Sequence, residues 1–375
     1  MADRFRVTLA QWNPTMGDLE GNAARARAAW NEGREAGADL VALPEMFITG
    51  YNTQDLVMKP AFHTAAIAAV KTLARDCADG PALAIGGPAL EGGALYNAYY
   101  VLQGGRIAAR VLKHHLPNET VFDEKRIYTQ GHVTGPYAIN GVRIGSPICE
   151  DSWFEDVCET LAETGAEFLL VPNGSPYYRE KLAHRHQLMV ARVVETGLPL
   201  IYLNLVGGQD DQVFDGASFA LNPGGELALQ MPVMTESLAH IDLTRGADGW
   251  RIEQAPLASI PGPTEQDYHA MVLSLRDYLR KTGFSKVLLG LSGGIDSALV
   301  ATVAVDALGA ENVRCVMLPS EYTSQASLDD AKALAENLGC RYDFVPIAEG
   351  RAAITGTLAP LFEGKKPDVT EENIQ

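Results

Sequence analysis

Two α/β modules joined by a linker are the fold class this sequence predicts, and three observations carry that expectation. Up to residue 245, apolar strand-like runs alternate with helical stretches and are broken by hairpin signals, as in layered α/β structure with a mixed sheet. From Asp248 to Pro263 the periodicity fades and Pro256, Pro261 and Pro263 accumulate, as in a linker. Beyond it, strands and helices alternate strictly, which implies a parallel, doubly wound sheet. A length of 375 residues suits two domains, here 1–245, a linker at 246–263, and 264–375.

In chain order, Phe5–Gln11 reads as a strand, Asn22–Ala36 as a helix and Leu40–Leu43 as a buried strand that ends at Pro44-Glu45. Phe62–Arg75 is an Ala-rich helix and Ala82–Gly86 a strand. Tyr96–Gln103 and Arg106–Leu112 flank Gly104-Gly105, a strong two-residue hairpin signal. Val142–Ile148 reads as a strand running straight into Cys149. Glu155–Thr164 and Leu182–Thr196 are helical, and Phe168–Val171 and Leu200–Leu203 are strands. Phe214–Leu221 and Glu226–Gln230 form a hairpin about Asn222-Pro223-Gly224-Gly225. The second module opens with an amphipathic helix, Thr264–Lys281. Lys286–Gly290, Ser297–Leu308, Val313–Leu318, Gln325–Leu338, Tyr342–Val345 and Glu349–Phe362 then alternate as strand and helix.

The charge balance, 47 acidic against 30 basic side chains for a net −17, argues against nucleic acid or an anionic membrane as partner. It leaves nucleotides open, because backbone amides and Mg²⁺ hold phosphates on an acidic protein. Cys77, Cys149, Cys158, Cys315 and Cys340 are odd in number and widely spaced, unlike a secreted disulfide framework. The opening residues show no signal-peptide pattern, and no apolar run approaches the ~20 residues of a membrane span. A reduced, cytoplasmic setting is expected.

Three segments of the first module each end a strand on a reactive side chain: Leu43-Pro44-Glu45, Val111-Leu112-Lys113 and Pro147-Ile148-Cys149. Strand ends in α/β layers converge on one rim, where ligands bind. A thiol needs a base to become a thiolate, and a carboxylate can be that base. A lysine ammonium can stabilise both the thiolate and the oxyanion formed when a carbonyl is attacked. Singly, each residue has an ordinary reading: a buried small hydrophobe, a turn carboxylate and a solvated cation.

Leu43–Tyr51, Lys113–Glu124 and Pro147–Trp153 resemble the three signatures of the nitrilase/amidase superfamily. The resemblance implies an α-β-β-α sandwich with Glu45 as general base, Lys113 as electrostatic stabiliser, Cys149 as nucleophile and Glu124 as a supporting glutamate. The backbone N–H of Glu150, next after the nucleophile, completes the implied oxyanion hole. By resemblance to the glutaminase branch, Tyr51 lines a glutamine pocket. Ser175, within Asn173-Gly174-Ser175-Pro176, and Lys181 hold the backbone of that glutamine, with Glu150 as a further implied glutamine contact. The branch commonly has a tyrosine six residues after the lysine; Glu119 stands there in this chain, within reach of the substrate's ammonium group.

In the second module, Val287–Ser297 reads as a strand, a glycine-rich turn and a helix start. Gly290, Leu291, Ser292, Gly293, Gly294, Ile295, Asp296 and Ser297 form a candidate ATP site. Paired glycines let amides approach phosphates, Ser292 and Ser297 add hydroxyls, and Asp296 offers oxygen to Mg²⁺. Neither a Walker A lysine nor G-x-G-x-x-G is present. The plain alternative is a tight βα turn with Ser297 as N-cap. The string resembles the pyrophosphate loop of the N-type ATP pyrophosphatases, implying an adenine nucleotide α-hydrolase-like domain. Met317–Ser324, Ser327–Leu338 and Thr370–Gln375 resemble their NAD synthetase branch, with Asn373 as an implied deamido-NAD⁺ contact.

Together the two resemblances imply a glutamine-using NAD⁺-forming ligase. Its partners would be glutamine, ATP and deamido-NAD⁺, with Mg²⁺ and no prosthetic group, in a homo-oligomer. The branch continues well past Gln375, so an incomplete second domain is expected. His114-His115 and His184-Arg185-His186 match no metal-ligand spacing. Two rival readings stand beside this one: a stand-alone amidase with an inactive C-terminal part, and a non-catalytic nucleotide-binding module.

Overall fold

In the computed structural model, which describes residues 3–364 and residue 366, the chain divides into two units, Met1–Ala270 and Met271–Gln375. The strands of the first unit are β1 (Arg4–Gln11), β2 (Leu40–Ala42), β3 (Ala82–Glu91), β4 (Ala94–Gln103), β5 (Arg106–Leu112), β6 (Tyr137–Ile139), β7 (Val142–Gly145) and β8 (Phe168–Asn173). They continue as β9 (Leu200–Asn204), β10 (Val206–Gln209), β11 (Gln212–Asp215), β12 (Phe219–Asn222), β13 (Glu226–Gln230), β14 (Ser237–Gly246) and β15 (Gly249–Ile252). Its helices are α1 (Leu19–Glu35), α2 (Pro60–Asp76), the single turn α3 (Glu124–Ile127), α4 (Glu155–Glu163) and α5 (Lys181–Thr196); α6 (Pro263–Thr282) runs on into the second unit.

Two mixed sheets form, in the orders β15-β14-β1-β2-β3-β4-β5 and β13-β12-β9-β8-β7-β6. Side chains alternate across each strand, so one set fills the space between the sheets and the other faces a helical layer. Phe5, Val7 and Leu9 meet Ile144, Phe168, Leu170, Ile201 and Leu203 between the sheets. Ala10, Val41 and Leu83 pack with Ala26 and Trp30 of α1 and Val70 and Leu73 of α2. Leu169, Val171, Leu200 and Tyr202 pack with Val157 and Leu161 of α4 and Met189 and Val193 of α5. The result is an α-β-β-α sandwich.

Several elements differ from the sequence expectation, among them β3, which runs on to Glu91, and β6, β10 and β14, where no strand is expected. β7 stops at Gly145, three residues short of Ile148, because Pro147 has no N–H to pair and the Ile148 N–H goes to the Asp151 carboxylate (3.0 Å). Phe214–Leu221 is two strands: β11 pairs with β10, β12 pairs with β9 and β13, and Gly216 and Ala217 turn between them at φ +66° and +50°. Within 248–263, β15 pairs antiparallel with β14, burying Trp250 and Ile252 while Gly249 and Arg251 face outward.

In the second unit β16 (Val287–Gly290), α7 (Ile295–Leu308), β17 (Val313–Met317), α8 (Gln325–Leu338), β18 (Arg341–Phe344) and α9 (Ala348–Phe362) alternate. The strands are parallel in the order β16-β17-β18. Ala301 and Ala304 of α7 and Ala331 and Ala335 of α8 pack against Val313, Cys315 and Met317. Among the described residues, no helix is long and apolar enough to cross a membrane.

Candidate active sites

Strand pairing delivers Lys113. Its N–H donates to the Asn97 carbonyl in β4 (2.9 Å), and its own carbonyl accepts from Gly131 (2.8 Å). Glu45 follows β2, and Gly86 of β3 lets it pass close, since a Cβ there would overlap the Met46 backbone nitrogen. Both side chains are fully buried. Lys113 Nζ lies 2.7 Å from Glu45 Oε1 and 2.8 Å from Glu124 Oε2. The Gly174 N–H donates to Glu45 Oε2 (2.7 Å). Asn97 Nδ2 donates to Glu45 Oε1 (2.8 Å) and Glu124 Oε1 (3.1 Å), and the Tyr51 hydroxyl donates to Glu124 Oε1 (2.8 Å). Burial opposes the charge of Lys113, but Glu124 and Glu45 outweigh it and hold the ammonium well above the ordinary lysine value. Burial also raises the Glu124 carboxyl, against the pull of Lys113. Such a buried cluster persists only with this density of hydrogen bonds.

Cys149 opens the 3₁₀ turn Cys149–Ser152 at φ +49°, a left-handed conformation that costs a non-glycine residue about 1–3 kcal/mol. The Ser152 hydroxyl donates to its carbonyl (2.7 Å). Burial first, then the charge of Glu45, raise the Cys149 thiol well above its ordinary value, with Lys113 opposing. The resting group is therefore the thiol.

Cys149 lines a cleft of about 750 Å³, together with Glu119, Glu150, Trp153, Ser175, Tyr178 and Lys181. The Lys181 ammonium lies 4.1 Å from the Trp153 ring centre and 4.6 Å from that of Tyr178. Burial, then Arg185, lowers its pKa to about 8. Burial also raises the Glu150 carboxyl. Glu119 is exposed. The Ser175 N–H donates to Asn204 Oδ1 (2.9 Å), and its hydroxyl accepts from Arg185 Nε (3.1 Å).

In the second unit, the Leu291 N–H continues the strand pairing past Gly290 by donating to the Val316 carbonyl (2.9 Å). Gly293 sits at φ +82°, where a Cβ would also overlap the Ser327 carbonyl. Ser297 is not the N-cap. It lies inside the first turn of α7, where its hydroxyl accepts from the Ser292 N–H (3.2 Å) and donates to the Gly294 carbonyl (3.0 Å). Gly294 is the N-cap and brings no capping side chain, so the first amides of α7 keep their capacity for an anion. Ile295 and Asp296 are exposed. The Asp296 carboxylate has no hydrogen bond or ion pair among the described residues, and its hard oxygens fit Mg²⁺. Thr370–Gln375, and so Asn373, lie outside the described residues.

Residues 6–249 match the carbon-nitrogen hydrolase family and residues 267–375 the NAD synthase family. A glutamine-dependent NAD(+) synthetase of Rhodobacter capsulatus is 62% identical over 375 residues, covering 100% of this chain and 68% of that one. This chain belongs to the glutamine-dependent NAD⁺ synthetase family. The synthetase of Thermotoga maritima is 34% identical, covering 99% of this chain and 70% of its own length. The structure of the Acinetobacter baumannii synthetase, in complex with ADP, matches 99% of this chain and 70% of its own at 35% identity and a TM-score of 0.93. A mutant amidase from Nesterenkonia sp. AN1 carries the acetamide moiety of fluoroacetamide covalently at its active-site cysteine. It is 26% identical and matches 64% of this chain and 90% of its own, with a TM-score of 0.58.

Within this member of the NAD⁺ synthetase family, one expected pocket residue is displaced. Tyr51 does not line the cleft. It is 2% exposed, bonded to Glu124 and packed against Phe122 and Phe214, and its ring occupies the space a Cβ on Gly174 would need. Four residues that sequence reasoning missed hold the site together. Asn97 bridges the two glutamates. Asn204 and Arg185 fix Ser175, and Arg185 is itself paired with buried Asp215 (2.8 Å). Arg185 shares its helix face with Met189 and Val193 at four-residue spacing, and a cation on an apolar face is a legible signal. Asp151 is the fourth. His114, His115 and Asp156 also come together, but each is already engaged: His114 with the Gly131 carbonyl and Gln130, and His115 with Asp156.

Proposed function

We propose that this chain hydrolyses glutamine through a Cys149 thioester and uses the ammonia to amidate deamido-NAD⁺ at the expense of ATP. The buried Glu45–Lys113–Glu124 cluster beside Cys149 carries this reading. Glu45 takes the Cys149 proton as the sulfur attacks the side-chain amide carbon of glutamine. Lys113 and the Glu150 N–H stabilise the oxyanion; one such donor is typically worth ~10²–10³ in rate. The carbon–nitrogen bond breaks, the proton on Glu45 passes to the leaving nitrogen, and ammonia departs. Glu45 then deprotonates a water that attacks the thioester, releasing glutamate and restoring the thiol. Lys181 and Ser175 receive the α-carboxylate of glutamine, and Glu119 and Glu150 its ammonium group.

In the second domain, the carboxylate of deamido-NAD⁺ attacks the α-phosphate of ATP, pyrophosphate leaves, and ammonia displaces AMP to give NAD⁺. Amides and hydroxyls of Gly290–Ser297 cradle the departing pyrophosphate. Asp296 holds Mg²⁺, which supplies charge neutralisation at the phosphates. The proposal extends to a homo-oligomer in the cytoplasm, in keeping with five free thiols; light scattering on a sizing column reads the assembly.

A coupled assay for glutamate, AMP, pyrophosphate and NAD⁺ tests the function. Cys149→Ala should abolish glutamine use and keep NAD⁺ formation from ammonia. Equal loss of both, or glutamate release with no ATP-dependent product from the unmodified chain, contradicts the two-site reading.

A further inference from the structure

The Asp151 carboxylate sits at the junction of two catalytic segments and touches neither catalytic side chain. It is 1% exposed. Its Oδ1 accepts from the N–H groups of His114 (3.0 Å) and His115 (2.6 Å), the two residues after Lys113. Its Oδ2 accepts from the N–H of Ile148 (3.0 Å), the residue before Cys149. These segments lie more than thirty residues apart in sequence and follow strands of different sheets. No ladder pairing joins them, because β5 ends at Leu112 and β7 ends at Gly145.

We infer that Asp151 is a positioning residue for glutamine hydrolysis: one carboxylate, spending an oxygen on each segment, holds the lysine that stabilises the oxyanion in register with the nucleophile. The inference rests on the glutaminase reading above. A carboxylate suits the role because it is acceptor-only on both oxygens, and all three of its partners are donors. Asparagine keeps the shape but has one acceptor, and its NH₂ would face an N–H, so it serves one segment and releases the other. Burial raises the Asp151 pKa to about 6 against those three backbone bonds and Lys113. At pH 7 the group is therefore still the acceptor-only carboxylate, but burial disfavours its charge, so a neutral isostere of the same shape removes one arm of the bridge at little cost to folding. That separates positioning from stability.

The test is Asp151→Asn in the full chain, with Asp151→Ser as a second variant, read two ways. The first is steady-state glutamine hydrolysis. The inference expects kcat to fall at least tenfold in Asp151→Asn, and further in Asp151→Ser, with KM within about twofold and a melting temperature in Asp151→Asn that falls by only a few degrees as a buried N–H loses its acceptor. The second is the rate of Cys149 alkylation by iodoacetamide, followed on the Cys149 peptide by mass spectrometry, which needs no substrate. It should slow at least fivefold, because the thiolate loses its fixed cation. A kcat and an alkylation rate within twofold of the parent, or a loss confined to KM, overturns the inference. If the unmodified chain turns over no glutamine, the proposed function fails, while the alkylation comparison still decides the role of Asp151.

Discussion

Lys181 offers a pH signature that belongs to a single side chain. It is a cation below about pH 8 and neutral above, because burial and Arg185 lower its pKa. The KM for glutamine should therefore rise as pH passes 8, with kcat nearly constant, as the α-carboxylate loses its counter-charge. Lys181→Met should raise KM at pH 7 and flatten this pH dependence; an unchanged slope in the variant would remove Lys181 from substrate binding. At this scale, legibility follows chemistry. Glu45, Lys113 and Cys149 stand out in sequence because reactive side chains follow apolar strands. Asn97 lies inside a strand of the hairpin, where an amide reads as tolerated polarity, and Asp151 reads as one more acid in Cys149-Glu150-Asp151-Ser152. Their roles come from partners far along the chain, which no local pattern encodes.

At the scale of elements, two glycines mark where backbones pass at contact distance. Gly86→Ala would push β3 against the Glu45–Met46 peptide. It should cost about 1–3 kcal/mol of stability and reduce glutamine hydrolysis. Gly293→Ala combines an unfavourable φ with overlap on Ser327 and should weaken ATP binding, while glutamine hydrolysis without ATP stays near the parent value. Denaturant melts and isothermal titration with ATP separate the two, and a Gly293→Ala chain that binds ATP normally would remove the loop from that role. Most helices were readable because the helical period is strong over eight or more residues, and β2, β8 and β9 because they are short apolar runs, but the ten-residue β14 was not readable. β15 was not, since its four alternating residues precede a proline-rich stretch, and the break between β11 and β12 rests on the turn at Gly216 and Ala217 inside an apolar run.

For the whole molecule, the seven-stranded sheet is tied together where β1 meets β14. Arg6 Nε and Nη2 donate to Asp242 at 2.8 Å, and Arg4 Nη2 donates at 2.7 Å. Arg6 first, with Arg4, holds the Asp242 carboxyl down at about 2 despite the opposing effect of burial. A depressed folded-state pKa adds stability above the unfolded value, roughly 3.9, and that stability disappears as pH falls through 2. Asp242→Asn should therefore move the acid-unfolding midpoint, followed by circular dichroism, to higher pH; an unmoved midpoint would show the pair contributes nothing. The two-module division is likewise a property of the whole chain, read from a change of rhythm near the prolines and visible in the separate cores of the two units. The account turns most directly on the acyl-enzyme. Acid-quenching the chain during glutamine turnover and mapping its peptides by mass spectrometry should place a γ-glutamyl group on Cys149 alone. Glutamate formed with Cys149 unmodified, or the group found on another residue, would contradict it.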